Sequence, residues 1–203
     1  MAAFRYLMLN KPYDVLSQFS GDDPAQTLRG YVGVPGVYPV GRLDKDSEGL
    51  LLLSDDGSLA HRLTDPRYEH PKTYLVQVER VPDEAALQAL RTGVVFEGKR
   101  SRPAEFELLG EPPALGERPV PVRFRKSVPT AWLRVVLREG RNRQIRKMTA
   151  AVGFPTLRIY RVGLGGLSLG PLAPGQWRDL THEEVAALRA LFRPPSLGGR
   201  RRR

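Results

Sequence analysis

The chain has 203 residues, 41% hydrophobic and 27% charged, enough to bury one substantial core or two small subdomains sharing one. Lys and Arg number 32 against 22 Asp and Glu, and the net charge of +10 points to a polyanionic partner. The absence of cysteine excludes disulfides and thiolate metal sites, the three histidines (His61, His70, His182) lack zinc spacing, and no stretch has the length of a membrane span or the pattern of a signal peptide.

A reducing cytoplasm is the expected compartment. Lys11, Lys45, Lys72, Lys99, Lys126 and Lys147 are the only lysines; the other basic residues are arginines, whose planar fork suits phosphates and base edges. A GC-rich genome or adaptation to heat would produce the same bias, so charge alone does not decide the function.

In chain order, FRYLMLNKP (4–12) reads as a buried strand stopped by Pro12. A short helix is expected after Asp23-Pro24, with the proline in its first turn. VYPV (37–40) is a short strand, and GLLLLS (49–54) a central one, too brief for a typical helix. Ser54 to Gly57 turn the chain into a helix over SLAHRLTD, ended by Pro66. KTYLVQVER (72–80) alternates, so Tyr74, Val76 and Val78 share one face. Asp83 caps a helix over EAALQALRTG, which Gly93 terminates.

PAEFELL (103–109) is strand-like, and the Pro- and Gly-rich EPPALGERPVPV (111–122) is a surface loop or edge segment. WLRVVLR (132–138) alternates with Leu133, Val135 and Leu137 inward. RNRQIRKMTAAVG (141–153) carries a helical stripe of Ile145, Met148, Thr149 and Val152. TLRIYRVGLGGLSL (156–169) reads as a strand with a glycine bend. Thr181 and Glu184 form a capping box for the last helix, EEVAALRALF. Beyond it, a disordered basic tail is expected over residues 194–203. Without regular βαβ alternation, the pattern favours an α+β fold with a mixed or antiparallel sheet.

GRLDKDSEGLLLLSDDG (41–57) sets five carboxylates around four consecutive leucines. Asp44, Asp46, Glu48, Gly49 and Asp55 mimic a calcium loop, but position 12 lacks the usual glutamate and no helix precedes it. A two-metal nuclease site fits poorly, because Asp44 and Asp55 would lie at opposite ends of a strand. A third reading singles out Asp44, held in a loop that the buried leucine strand makes rigid, with the other acids as caps and solvated charge. From composition alone, the simpler reading prevails, that Asp44 caps a turn or pairs with Arg42.

G-R-L-D-K-D-S-E-G-L-L (41–51) closely resembles the G-R-L-D-x-x-[ST]-x-G-L signature of pseudouridine synthases. K-T-Y-L-V (72–76) is similar to their K-x-Y strand motif. E-G-R-N-R-Q-I-R-K-M (139–148) is similar to the helix motif of the branch acting on ribosomal RNA. With L-N-K-P (9–12), the resemblance runs in register nearly to residue 192. R-K-S-V-P-T-A-W-L (125–133) and G-F-P-T-L-R (153–158) resemble the small subtype that modifies large-subunit ribosomal RNA.

That resemblance implies a mixed, mostly antiparallel sheet with flanking helices, in two subdomains with an RNA cleft between them. It implies a catalytic domain over residues 1–193 with no separate amino-terminal RNA-binding domain. The expected activity is the isomerisation of uridine in ribosomal RNA, by a monomer needing no cofactor and no metal. Asp44 is then the catalytic carboxylate, and Arg146, flanking the apolar stripe of its helix, is the guanidinium that keeps it ionised. Tyr74 stacks beneath the extruded base and helps move a proton. Arg42, Lys72, Arg141, Arg143, Gln144 and Lys147 are implied phosphate and nucleotide contacts, with Arg158 and Arg161 as further candidates. The rival is a noncatalytic RNA-binding or ribosome-assembly protein in which the acidic loop is only a turn.

Overall fold

The computed structural model describes residues 4–192 apart from 117, 123, 124 and 126, so the tail expected over 194–203 lies outside the described residues. Six consecutive buried residues form the first strand, β1 (Tyr6–Lys11). It pairs antiparallel with β3 (Glu48–Ser54), seven residues that are all buried. The leucine run has its explanation in that pairing, because both faces of β3 are covered. Leu51 and Leu53 pack with Leu7, Leu9, Leu28 and Leu43 on one side. Leu50 and Leu52 pack with Met8, Leu59, Leu63 and Leu188 on the other.

A second half of the sheet is built on β4 (Lys72–Glu79) and β8 (Thr130–Leu137), paired antiparallel over eight residues. Val76, Val78, Leu133, Val135 and Leu137 form its core, as alternation predicts. The halves meet through β9 (Thr156–Leu164), which runs parallel to β3 and antiparallel to β4. With β7 (Glu105–Leu108) and β11 (Trp177–Asp179) at the edges, the order is β11-β1-β3-β9-β4-β8-β7. Two short strands attach at the side, β2 (Tyr38–Pro39) on β3 and β10 (Leu167–Ser168) on β9. A separate hairpin joins β5 (Val95–Phe96) to β6 (Lys99–Arg100). The sheet is thus mixed and mostly antiparallel, in an α+β fold.

Helix starts follow the capping signals. Asp56 accepts hydrogen bonds from the Ser58 and Leu59 amides to open α1 (Gly57–Thr64), and Asp83 accepts from Ala86 to open α2 (Glu84–Thr92). Both halves of the Thr181–Glu184 box form at α4 (His182–Ala190). Two expectations need correction. The segment after Pro24 forms two single 3-10 turns, Pro24–Gln26 and Leu28–Gly30, with Thr27 extended between them. The helix expected from Arg141 starts only at Gln144, as α3 (Gln144–Ala151), because Arg143 takes a left-handed backbone with φ 49°. The β5–β6 hairpin and β11 carry too few residues for periodicity to reveal them.

Candidate active site

The strands β3 and β9 touch at only two register pairs, Glu48 with Tyr160 and Gly49 with Arg161. A Cβ on Gly49 would stand 2.2 Å from the Arg161 carbonyl oxygen, and Gly49 has φ +101°. Only glycine allows this approach. Past that junction the pairing stops, and the loop before β3 overhangs a hollow of about 370 Å³. Its lining includes Arg42 and Asp44 from that loop, Lys72 and Tyr74 from β4, residues 139–145 ahead of and entering α3, and Ile159 and Arg161 from β9.

The Asp44 loop is held from below. Ser17 Oγ donates to the Leu43 carbonyl at 2.8 Å and accepts from the Leu43 amide at 3.0 Å. Lys11 is fully buried, and its Nζ donates to the carbonyls of Pro12 (2.8 Å), Val15 (2.7 Å) and Lys45 (3.4 Å). Burial lowers its pKa to about 8, with Glu48, Asp46, Asp14 and Asp44 pulling the other way. The loop that presents Asp44 is therefore tied directly to the end of β1.

The five acids have separate fates. Asp55 accepts the Arg5 amide at 2.7 Å, and Asp56 caps α1. Glu48 turns to the other side of the sheet, where Arg158 grips it through Nε and Nη2, both at 2.8 Å. Asp46 takes two hydrogen bonds from Arg143, at 3.0 and 2.8 Å, and lies 3.2 Å from Arg146 Nη2. Burial disfavours the Asp46 charge, but the Arg143 hydrogen bonds and the Arg146 charge outweigh it and hold the carboxyl below its usual range. Asp44 is left half-buried, with Arg143 Nη1 3.7 Å from its Oδ2, beyond hydrogen-bonding distance.

Both arginines reach the acidic loop. Arg146 lies near enough to feel the Asp44 charge, while its Nη2 donates to the Asp46 carbonyl at 3.1 Å and its Nη1 to the Thr156 carbonyl at 3.3 Å. Arg143 is the guanidinium adjacent to Asp44. The cause is local: the left-handed turn at Arg143 folds its side chain back over the acidic loop, and Arg146, three residues on, reaches the same loop from deeper in the fold.

The other site candidates divide. Tyr74 packs against the clusters of both halves and lines the hollow, and Lys72 lines it from the same strand face. Arg42 is exposed on the overhanging loop. Arg141 lays its guanidinium over the Phe96 ring at 3.7 Å and donates to the carbonyls of Phe96 and Lys99, both at 3.1 Å, so it pins the β5–β6 hairpin. Lys147 pairs with Glu97 of the same hairpin at 2.7 Å. Gln144 is buried, bonded to the Arg141 amide and to Glu139, and it shapes the turn into α3.

Arg158 does not face the hollow at all. It shares the Glu48 and Tyr160 side of the sheet and also donates to the Gly116 carbonyl at 3.0 Å. Arg161 is buried in the floor of the hollow. Sequence reasoning missed Asp46 as the bridge between two arginines and Lys11 as the buried tie. The L-N-K-P motif marked Lys11, but nothing in the spacing of the acids separated Asp46 from its neighbours. Among the described residues, no cluster of three or more histidines and carboxylates could hold a metal ion, and no helix is long and apolar enough to cross a membrane.

Residues 5–151 match the family model for RNA pseudouridylate synthases. The ribosomal large subunit pseudouridine synthase E of Xanthomonas campestris pv. campestris is 59% identical over 174 residues, which span 85% of this chain and 93% of the relative. The protein of the same name from Vibrio vulnificus is 48% identical over 89% of this chain and 77% of its own length. A crystal structure of a pseudouridylate synthase superposes with a TM-score of 0.75 at 28% identity, covering 93% of this chain and 75% of the other. Sequence likeness along nearly the whole chain, and a matching fold around the hollow where its motifs converge, lead to one conclusion: the chain belongs to the RNA pseudouridylate synthase family.

Proposed function

We propose that the protein isomerises a uridine of 23S, large-subunit, ribosomal RNA to pseudouridine, with Asp44 as the reacting carboxylate. The observation that carries the reading is the contrast between two neighbouring acids. Asp46 takes the hydrogen bonds of the arginines, while Asp44 faces the hollow with positive charge 3.7 Å away and no hydrogen bond to its carboxylate among the described residues. A carboxylate left free in that way can react with a substrate. The relatives named large subunit pseudouridine synthase E, alike over most of both chains, support the choice of RNA.

The reaction breaks the bond from ribose C1′ to uracil N1, turns the base, and joins C1′ to C5; a proton leaves C5 and one is gained at N1. No atom is lost overall, so the chemistry calls for no external group donor or redox partner. Asp44 can attack the ribose, attack the uracil ring or remove a ribose proton. Tyr74 supplies a stacking floor worth about 1–3 kcal/mol for a base that has left its helix or loop. Arg42, Arg143 and Lys147 contact the RNA backbone; Arg141 and Gln144 hold the loop that presents Arg143, and Arg146 positions the acidic loop. The enzyme works as a monomer in the cytoplasm, in keeping with a chain free of cysteine.

The test is to map pseudouridines in 23S ribosomal RNA from cells that lack the gene and carry either the wild type or Asp44→Asn. One position is expected to lose the modification, regaining it only with the wild type. Restoration by Asp44→Asn would refute the role of that carboxylate, and an unchanged 23S map would refute the substrate. With Tyr74→Phe, RNA binding should persist and turnover fall; unchanged turnover would remove the tyrosine from proton transfer.

A further inference from the structure

Arg161 is only 3% exposed, yet its guanidinium is incompletely satisfied. Its Nε donates to the Leu50 carbonyl at 2.7 Å, while Nη2 is shielded from solvent and meets no hydrogen-bond partner. The register places Arg161 beside Tyr74 on the neighbouring strand, and Lys72 lies two residues before Tyr74 on the same face of β4. All three line the hollow. The Lys72 ammonium has no hydrogen-bond or ion-pair partner among the described residues. Burial first, and then the Arg161 charge, hold its pKa below the usual lysine range, with Glu139 acting in the opposite sense. Glu139 is itself engaged by the Gln144 side chain and the Arg102 amide.

Two cations side by side at one hollow, with N–H groups that no described residue accepts, are costly in a folded protein. Such an arrangement persists where a ligand supplies the acceptors. The position names the ligand chemistry, because the donors flank the aromatic floor. A ring stacked on Tyr74 would present its edge atoms, and not its faces, to them.

We propose that Lys72 and Arg161 form a cationic edge beside Tyr74 that binds the carbonyl oxygens of the target uracil and stabilises the uracil anion. This rests on the functional reading above and deepens it. When the C1′–N1 bond breaks, its electron pair goes to N1, and the negative charge spreads to O2 and O4. Charged donors at those oxygens bind the departing anion more strongly than the neutral base, which lowers the barrier to cleavage. The charge returns to the new bond when C5 attacks C1′, and the C5 proton is then lost to a base while N1 regains a proton. The same edge selects uracil over cytosine, since an amino group in place of O4 would face donors with another donor.

The test uses the full-length enzyme and a 23S fragment spanning the modified position, with uridine, 2-thiouridine or 4-thiouridine at the target. Sulfur is a poor hydrogen-bond acceptor, so a thio substitution weakens the proposed contact from the RNA side. Lys72→Met, and Arg161→Lys as the conservative partner, should bind the uridine RNA within about threefold of wild type. Their single-turnover rates should fall on the order of 100-fold, the scale of losing one oxyanion donor. One of the thio substitutions should slow the wild type about tenfold more than it slows the variants.

Two results would overturn the proposal: variants whose whole loss lies in RNA affinity, as for a phosphate contact, or thio effects of equal size in wild type and both variants. Arg161→Lys keeps the charge in the floor, and a cooperative melt near that of the wild type certifies the fold. A wild type that converts no uridine would defeat the functional reading. A wild type that converts it, with Lys72→Met equally fast, would defeat only this proposal.

Discussion

Replacing Gly49 by alanine would strike the junction that holds the two halves of the sheet together. Two costs add. The residue sits at φ +101°, where a side chain is strained by about 1–3 kcal/mol. The new Cβ would also stand 2.2 Å from the Arg161 oxygen and 2.8 Å from its nitrogen, well inside contact distance. Both atoms belong to the backbone, so the strands themselves must part, and overpacking of this kind costs about 1–3 kcal/mol. Gly49→Ala should therefore lose about 2–6 kcal/mol, a large share of the roughly 5–15 kcal/mol that holds a typical domain folded.

Gly36→Ala is the control, since Gly36 also has positive φ (77°) but has nothing within 4 Å of its missing Cβ. Urea unfolding of both variants, read by circular dichroism with a shared slope, gives the difference directly. Gly49→Ala should be less stable than Gly36→Ala by about 1–3 kcal/mol, the clash alone. Equal losses would show that the close approach of β3 to β9 does not govern stability, and the account of the junction would fail.

Glu48→Gln should cost about 3 kcal/mol by leaving the buried Arg158 without its counter-charge, and Glu48→Leu with Arg158→Met should recover most of the loss; a single-variant cost below about 1 kcal/mol in urea would contradict the pairing. Lys11 has a pKa lowered from 10.5 to about 8, so the unfolded chain binds its proton more tightly than the folded one. The resulting penalty is full below about pH 8 and relieved as pH rises toward 10.5. Wild type should thus gain up to about 3 kcal/mol on Lys11→Met across that interval, measured by urea unfolding at a series of pH values. A gap that does not change with pH would refute the buried-amine account.

Particular residues show what could be read in the chain and what could not. The leucine run, the alternation from Lys72 and the Thr181–Glu184 box are local patterns, and each became the expected element. Asp44 and Tyr74, which the motifs singled out, line one hollow. Two things were not legible. The left-handed turn at Arg143 is a tertiary compromise, since helical periodicity continues through it, and it moved Arg143 rather than Arg146 next to Asp44. The fates of Arg158 and Arg161 depended on which face of β9 meets which neighbour, and that is set by pairing across more than 100 residues of chain. An arginine-rich composition hides such residues, because an internal guanidinium and a surface one look alike in sequence.

The central position of β9 shapes how the protein comes into being. The strand that joins both halves comes after β1, β3, β4, β7 and β8 in the chain, and Glu48 waits 110 residues for Arg158. Until Thr156–Leu164 leaves the ribosome, β3 and β4 are open edges of apolar sheet, the kind that invites wrong partners. Long-range closure of this sort is slow. The nascent chain therefore carries unpaired edges, and lacks the floor of its hollow, until β9 has joined β3 to β4.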